Sequence, residues 1–276
     1  MFKGLIVALT VAISACSVTK IPDNLAYGVL NNNDLETVRA GLPTYLLLMD
    51  GLLETYPDSA SLLSSASSLN SAYAGVFVED EVRARLMTNK ALHLAQRAAC
   101  AHNRAACGLK TMEFERFEKV VLDMDSQKDV PILYTLGTSW ASYIQMNSAD
   151  WGAIADLAKV QLVMNHLYEL DPNYENGMVP LYLGVLSSLL PPALGGKPDV
   201  AQAYFEEGIE ISEGKNLIIK VMYAQQFARL IFDQELHDRL LSEVVASDPN
   251  LKGFTLQNIY AQDEAEKLLA ESVEYF

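Results

Sequence analysis

The 276-residue sequence predicts an all-α fold of about a dozen helices joined by short connections. Three observations support this fold class. Apolar residues recur three and four positions apart along most of the chain, and the helix-favouring residues Ala, Leu, Glu, Gln and Met are abundant. No segment alternates polar and apolar residues for long enough to indicate a strand.

Four amphipathic stripes predict helices in chain order. They are Leu46, Met49, Leu53 and Tyr56; Leu86, Ala91, Leu94 and Ala98; Phe114, Phe117 and Val121; and Val160, Val163, Leu167 and Leu170. Residues three and four apart share one face of a helix, so each stripe predicts a helix with one buried face.

Three prolines mark predicted helix ends. Pro57, Pro172 and Pro249 each follow an amphipathic stretch, and proline cannot continue a helix. These ends resemble the end of a tetratricopeptide repeat, whose period is about 34 residues. The separations of 115 and 77 residues exceed three and two such periods. The sequence therefore predicts insertions between the repeats.

The clearest predicted repeat runs from residue 173 to about residue 214. Gly184 lies in its first helix, and Ala201, Phe205 and Gly208 give the second helix a small–aromatic–small spacing. Small residues let paired helices approach closely, and the aromatic ring fills the space between them.

A second, longer unit contains Leu136-Gly137 followed by Trp140. We therefore predict an α-solenoid of degenerate tetratricopeptide-like repeats. A helical bundle without repeats is the alternative.

The composition excludes several classes of protein. Half of the residues are apolar and the formal net charge is −15. A chain this apolar is not disordered. Its negative charge would repel nucleic-acid phosphates and anionic lipid, which makes nucleic-acid binding improbable and argues against a basic membrane-binding patch.

The N-terminus predicts a secretion signal and a lipid anchor. Lys3 precedes a short apolar segment at residues 5–13, which is too short to span a membrane. The following Ser14-Ala15-Cys16 resembles a bacterial lipoprotein box, in which the Cys16 thiol accepts the lipid. An ordinary signal peptide with a chance cysteine is the alternative.

This interpretation divides the chain into three parts. Residues 1–15 would be removed, residues 16–23 would form a lipidated linker, and residues 24–276 would form a single helical domain. Removal of Lys3 would leave a charge of −16. The protein is then expected in the bacterial cell envelope, facing the periplasm and held to the membrane only by its N-terminal lipid. Ser17 favours the outer membrane.

Two cysteines, Cys100 and Cys107, remain after the lipid anchor. An oxidising compartment permits a disulfide between them. Seven residues of unbroken helix span about 10.5 Å, which is too far for a bridge. A bridge therefore needs a break in the helix near His102-Asn103-Arg104, and two buried thiols are the alternative.

Several segments resemble one family, the T-component lipoproteins associated with tripartite ATP-independent periplasmic (TRAP) transporters, called TatT. The resemblance extends over nearly the whole chain after the signal. Its most specific parts are residues 52–58, 71–79, 137–140, 181–184, 190–198 and 232–237. The strongest is Leu-Pro-Pro-Ala-Leu-Gly-Gly-Lys-Pro at 190–198.

The resemblance implies a lipid-anchored homotrimer that binds the transporter's periplasmic substrate-binding P subunit. It also implies an apolar pore and cleft that hold or pass a small organic ligand, either hydrophobic or an organic acid. The alternative function is an envelope assembly scaffold with protein partners rather than small-molecule partners.

The sequence contains no recognisable catalytic, metal-binding or cofactor-binding motif. The four histidines lack a zincin arrangement, and Gly195-Gly196-Lys197 lacks the other residues of a phosphate-binding loop. The pair Glu206-Glu207 is interpreted as part of a solvated face. We therefore predict a protein that is not an enzyme.

Aromatic residues are the best candidates for a ligand cleft, although core packing explains each of them as well. They are Trp140, Tyr143, Tyr182, Tyr73, Phe77 and Tyr223. Arg229 either anchors a ligand carboxylate or pairs with Asp233 four residues later. Pro191, Pro192, Gly195, Gly196 and Lys197 form either a stiff connection or a lip over the cleft. An organic acid would need a positive group such as Arg229 or Lys197.

Overall fold

The structure, a computed structural model, describes residues 21–189 and 196–276. Its helices are α1 (Ile21–Leu30), α2 (Leu35–Thr55), α3 (Ala60–Phe77), α4 (Glu81–His102), α5 (Phe114–Leu122), α6 (Val130–Met146), α7 (Trp151–Ala155), α8 (Leu157–Leu170), α9 (Met178–Ser188), α10 (Pro198–Ile211), α11 (Ile218–Met222), a π-helix (Tyr223–Ala228), α12 (Gln234–Ala246) and α13 (Thr255–Tyr275). The described residues contain no strand, so the all-α prediction is confirmed.

Helix boundaries follow local chemistry. Asp34, Ser59, Asp80, Asp150 and Asp233 each accept a hydrogen bond from a backbone N–H in the first turn of the helix that follows. All three helix ends predicted from proline are confirmed, because α2, α8 and α12 end two or three residues before their prolines.

Helices α3 to α10 pack mainly in chain order, with α3 on α4, α4 on α6, α6 on α8, α8 on α9 and α9 on α10. The close approaches occur at glycines. A Cβ on Gly184 would lie 3.1 Å from the Phe205 ring, and one on Gly137 would lie 2.4 Å from Met164 Sδ. These contacts match the small and aromatic positions of the predicted repeat units. The solenoid itself remains a prediction.

The last helix returns to the first two. Helix α13 contacts α1 and α2, and the Gly253 N–H donates to Asn31 Oδ1 at 2.7 Å. The helical array therefore closes on itself. Helix α1 begins at Ile21, three residues before the start predicted for the helical domain.

The predicted stripes mostly face the core, with exceptions at their ends. Phe117 and Val121 are fully buried, as are Val160, Val163 and Leu167. Leu86, Phe114 and Tyr56 are exposed. Tyr56 caps the C-terminus of α2 and Phe114 begins α5, where a helix has fewer neighbours to cover its side chains.

The structure joins Cys100 and Cys107 in a disulfide. Helix α4 ends at His102, and Asn103 takes an extended backbone conformation. A 3₁₀ turn at Arg104–Ala106 then brings the two Cα atoms to 4.3 Å. The helix therefore breaks near His102-Asn103-Arg104, the position at which the sequence predicts a break if the two cysteines form a disulfide.

Asp129 links the ends of two core helices. Its carboxylate accepts the Ser126 hydroxyl at 2.5 Å and the Ser126 amide at 2.9 Å, and His102 Nε2 lies 2.6 Å away. Burial alone would raise the pKa of Asp129, but these hydrogen bonds hold it below the usual 3.8. The ionised form therefore stabilises the fold above pH 3.8, and this contribution is lost as the pH falls through the folded-state pKa.

We expect Asp129→Asn to lower the free energy of unfolding at neutral pH by about 1–2 kcal/mol. The variant should also lose less stability than the wild type as the pH is lowered to about 3, because it has no carboxylate to protonate. Urea unfolding across this pH range measures both effects. Asp125 is exposed, so Asp125→Asn serves as the control. The prediction would be contradicted if Asp129→Asn and the wild type lost the same free energy of unfolding as the pH is lowered.

Candidate functional site

A cavity of about 540 Å³ lies between α10, α11, the π-helix and α12. One wall is apolar and the rim is charged. The lining residues are Gln202, Glu206, Ile209, Lys220, Tyr223, Phe227, Ile231, Asp233, Glu235, Leu236, Arg239, Leu240 and Glu243. This volume falls within the range of small-molecule sites.

The π-helix supplies the floor of the cavity. It continues α11 without a break, and the Arg229 N–H bonds to the Ala224 carbonyl at 3.2 Å, a five-residue spacing. π-Helical turns are rare and often occur at functional sites. Here the turn places Tyr223 and Phe227 together, with ring centroids 5.3 Å apart.

Tyr223 is held from two sides. Its ring stacks on Phe205 at 5.1 Å, and its hydroxyl donates to Glu206 Oε1 at 3.3 Å. Desolvation, followed by the negative charge of Glu206, raises the pKa of Tyr223 well above its usual range. The hydroxyl therefore stays protonated and serves as a donor to Glu206.

The two cations of the cavity share one carboxylate. Lys220 Nζ lies 2.7 Å from Glu243 Oε2, and Arg239 Nη1 lies 3.2 Å from Glu243 Oε1. The Lys220 hydrogen bond is the main reason that the pKa of Glu243 lies below its usual range. Glu243 therefore stays ionised and forms an ion pair with each of the two cations.

A group of three tyrosines, called here the tyrosine cluster, contains another predicted ligand residue. Tyr134 packs edge-on against Tyr182 at 6.4 Å and against Tyr174 at 5.2 Å. Desolvation raises the pKa of Tyr182 to about 12, yet its side chain keeps partial contact with solvent.

The structure places the other predicted ligand residues away from the cavity. Trp140 is fully buried, and its Nε1 donates to Asp156 Oδ2 at 3.2 Å. Tyr143 is buried under Lys110, whose Nζ is 4.3 Å from the ring centroid. Both belong to the main core, which corresponds to the packing alternative.

Tyr73 and Phe77 lie at the opposite end of the chain from the cavity residues. Tyr73 is buried, with its ring 5.5 Å from Phe77 and its hydroxyl bonded to the Arg39 carbonyl at 3.2 Å. They belong to the small cluster where α2 and α3 meet.

Arg229 does not pair with Asp233. The chain leaves the helix after Ala228, and the Asp233 carboxylate caps α12 by accepting the Leu236 N–H at 2.9 Å. Arg229 instead contacts Glu271 at 3.3 Å and stacks at 4.4 Å on the Tyr275 ring. It does not line the cavity.

Some predicted residues lie outside the described ranges. These are the lipid acceptor Cys16 and the loop residues Pro191, Pro192 and Gly195. Gly196 and Lys197 are described: Lys197 is exposed and precedes α10, and its amide bonds to the Ser187 carbonyl at 3.3 Å.

Residues 31–276 match the model of the family TAtT, TRAP transporter T-component. The chain belongs to this family. T-components are accessory subunits of TRAP transporters and not enzymes, and this membership agrees with the predicted resemblance. No curated protein matches the chain.

Sequence reasoning missed most of the cavity in this T-component. The sequence predicts Glu206 on a solvated face, and no pattern in it marks Lys220, Glu235 or Arg239 as site residues. These residues are separated along the chain and meet where α10, α11 and α12 pack around the π-helix. The acidic pair Glu206-Glu207 was a visible signal, but its two members diverge: Glu207 accepts the Tyr168 hydroxyl at 2.9 Å, away from the cavity lining.

In the described part of this T-component, no group of three or more His, Cys, Asp or Glu side chains is arranged to hold a metal ion.

Proposed function

We propose that this T-component is a lipid-anchored, periplasm-facing accessory subunit that binds the P subunit of a TRAP transporter and holds a small organic ligand for it. The observation that supports this most strongly is the family match over residues 31–276. Membership associates the chain with a TRAP transporter system.

The proposed anchor is the acylated Cys16, with residues 1–15 removed. Its support is the lipoprotein-box pattern alone, since these residues lie outside the described ranges. No helix of the described part is long and apolar enough to span a bilayer. Mass spectrometry of the native protein measures the acylation directly, and an unmodified thiol at Cys16 would contradict the anchor.

The 540 Å³ cavity is the proposed ligand site. Its apolar wall and charged rim have the character of a small-molecule pocket. Tyr223 is the predicted ligand residue that this site contains. The tyrosine cluster, with Tyr182, is proposed as packing rather than as the main site.

Self-association is the proposed quaternary state, a trimer by family resemblance. Its support is the outer face of α2, where Leu47, Leu48 and Leu52 are exposed by 72%, 53% and 37%. A Cβ added to Gly41 or Gly51 on this helix would meet nothing within 4 Å. Such an apolar face with small residues allows a second helix to approach closely.

Sedimentation velocity tests the proposed docking. The T-component without residues 1–15 is run alone, with the P subunit of a TRAP transporter from the same organism, and with a solute-binding protein of another transporter class as control. We expect a complex with the P subunit only, at micromolar concentrations, and a mass above that of a monomer when the T-component is run alone. No complex with the P subunit would contradict the accessory role. Capture of envelope proteins instead would favour the assembly scaffold.

A further inference from the structure

We infer that the cavity at the π-helix takes an organic cation, an ammonium group on a small apolar body, rather than an organic acid. The inference rests on the proposed ligand-holding function and names the chemical class of ligand. The charges that line the cavity and the apolar wall beside them support it.

The positive groups of the cavity are already compensated. Lys220 and Arg239 both contact Glu243, at 2.7 and 3.2 Å. A ligand carboxylate would have to share these cations with Glu243. The net charge of −15 on the whole chain opposes an anion further.

The negative groups of the cavity exceed the positive ones. Four carboxylates and two cations line the cavity, and both cations pair with Glu243, so Glu206, Asp233 and Glu235 have no cationic partner in the lining. Among the residues that the structure describes, Glu206 accepts from two neutral donors, Gln202 at 2.8 Å and Tyr223 at 3.3 Å, and from no cation. Asp233 accepts a backbone N–H, and Glu235 has no salt bridge within the described ranges.

The apolar residues that line the cavity indicate that the ligand also has an apolar part. Phe227 and Leu240 are buried at its floor, and Ile209, Ile231 and Leu236 complete the apolar wall. An alkyl or aromatic body can lie against this wall while its ammonium group reaches the carboxylates on the rim. A simple metal cation would leave the wall unused.

Isothermal titration calorimetry with hexylammonium and hexanoate tests the inference, because the two probes share an apolar chain and differ in charge. The variants are Glu206→Gln, which keeps an acceptor for Tyr223, and Glu235→Gln. The control is Glu210→Gln, an exposed residue on the same helix that does not line the cavity.

We expect hexylammonium to bind the wild type at least about tenfold more tightly than hexanoate. Each cavity variant should weaken hexylammonium by about three- to tenfold, and Glu210→Gln should leave it unchanged. Added salt should weaken the binding as well. Tighter binding of hexanoate, no binding of hexylammonium, or equal affinities in wild type and both cavity variants would overturn the inference.

Failure of this test is distinguishable from failure of the proposed function. The complex with the P subunit is measured without either probe, so it can form whatever the ligand class. Hexanoate binding that is lost in Lys220→Gln would place an organic acid in the same cavity, which keeps the ligand site and rejects its cationic specificity.

Discussion

Replacement of Gly177 by alanine is expected to lower the free energy of unfolding by about 2–5 kcal/mol. Gly177 is the N-cap residue just before α9 and has a φ of +87°, a left-handed conformation that an L-residue with a side chain adopts only with strain. A Cβ at this position would also lie 2.4 Å from the Gly208 carbonyl oxygen. That oxygen is backbone of α10 and cannot rotate away.

The chain contains a matched control. Gly253 has the same φ of +87°, but a Cβ there would meet nothing within 4 Å. Gly253→Ala therefore measures the conformational cost alone, about 1–2 kcal/mol. The excess in Gly177→Ala, about 1–3 kcal/mol, reports the contact between α9 and α10.

Urea unfolding of both variants measures this difference, and circular dichroism shows whether each keeps its helical content. Equal destabilisation by the two substitutions would mean that α9 and α10 can separate at no cost. It would also contradict the close contact at Gly208 on which the predicted repeat unit depends.

Local sequence patterns predicted the secondary structure well. Helix formers, the spacing of apolar residues and the prolines are each properties of a few neighbouring positions, and the structure confirms the helices they predicted. The Gly184 and Phe205 contact was also predicted, because a small residue and a ring at repeat spacing imply a tight helix pair. A repeat motif of this kind encodes a contact between consecutive elements.

Contacts between distant elements were not predictable in the same way. The contact of α13 with α1 and the pairing of Arg229 with Glu271 depend on the packing angles of all the helices between them, which accumulate along the chain. The π-helix could not be distinguished from an α-helix in the sequence, because its residues Tyr223–Ala228 have an ordinary helical composition. Because this turn assembles the cavity, the candidate site was less predictable than the fold.

Part of the negative charge of the chain is concentrated at the cavity. Read from the sequence alone, a charge of −15 argues against nucleic-acid and anionic-lipid partners. In the structure, Glu206, Asp233 and Glu235 bring part of that charge to the rim of one cavity, while Glu243 compensates its cations. An organic acid would need a positive group, and the two cations predicted for that role, Arg229 and Lys197, both lie outside the lining.

Trp140→Ala is expected to destabilise the fold by about 3–5 kcal/mol. The Trp140 ring is completely buried, meets Phe117 edge-on at 5.9 Å and bonds to Asp156 at 3.2 Å. Its removal leaves a large void in the main core and a buried carboxylate without its donor. The second tryptophan of the chain, Trp151, is 86% exposed, so Trp151→Ala should change stability by no more than about 0.5 kcal/mol.

The variant Trp140→Phe separates packing from ligand binding. Phenylalanine keeps most of the apolar volume but cannot donate to Asp156, which should cost about 1–3 kcal/mol of stability. Since Trp140 does not line the cavity, the affinity for hexylammonium should stay at the wild-type value. Thermal unfolding and calorimetry on the same sample measure the two quantities. If Trp140→Phe kept its stability and changed ligand affinity, Trp140 would belong to a ligand path and not to the core.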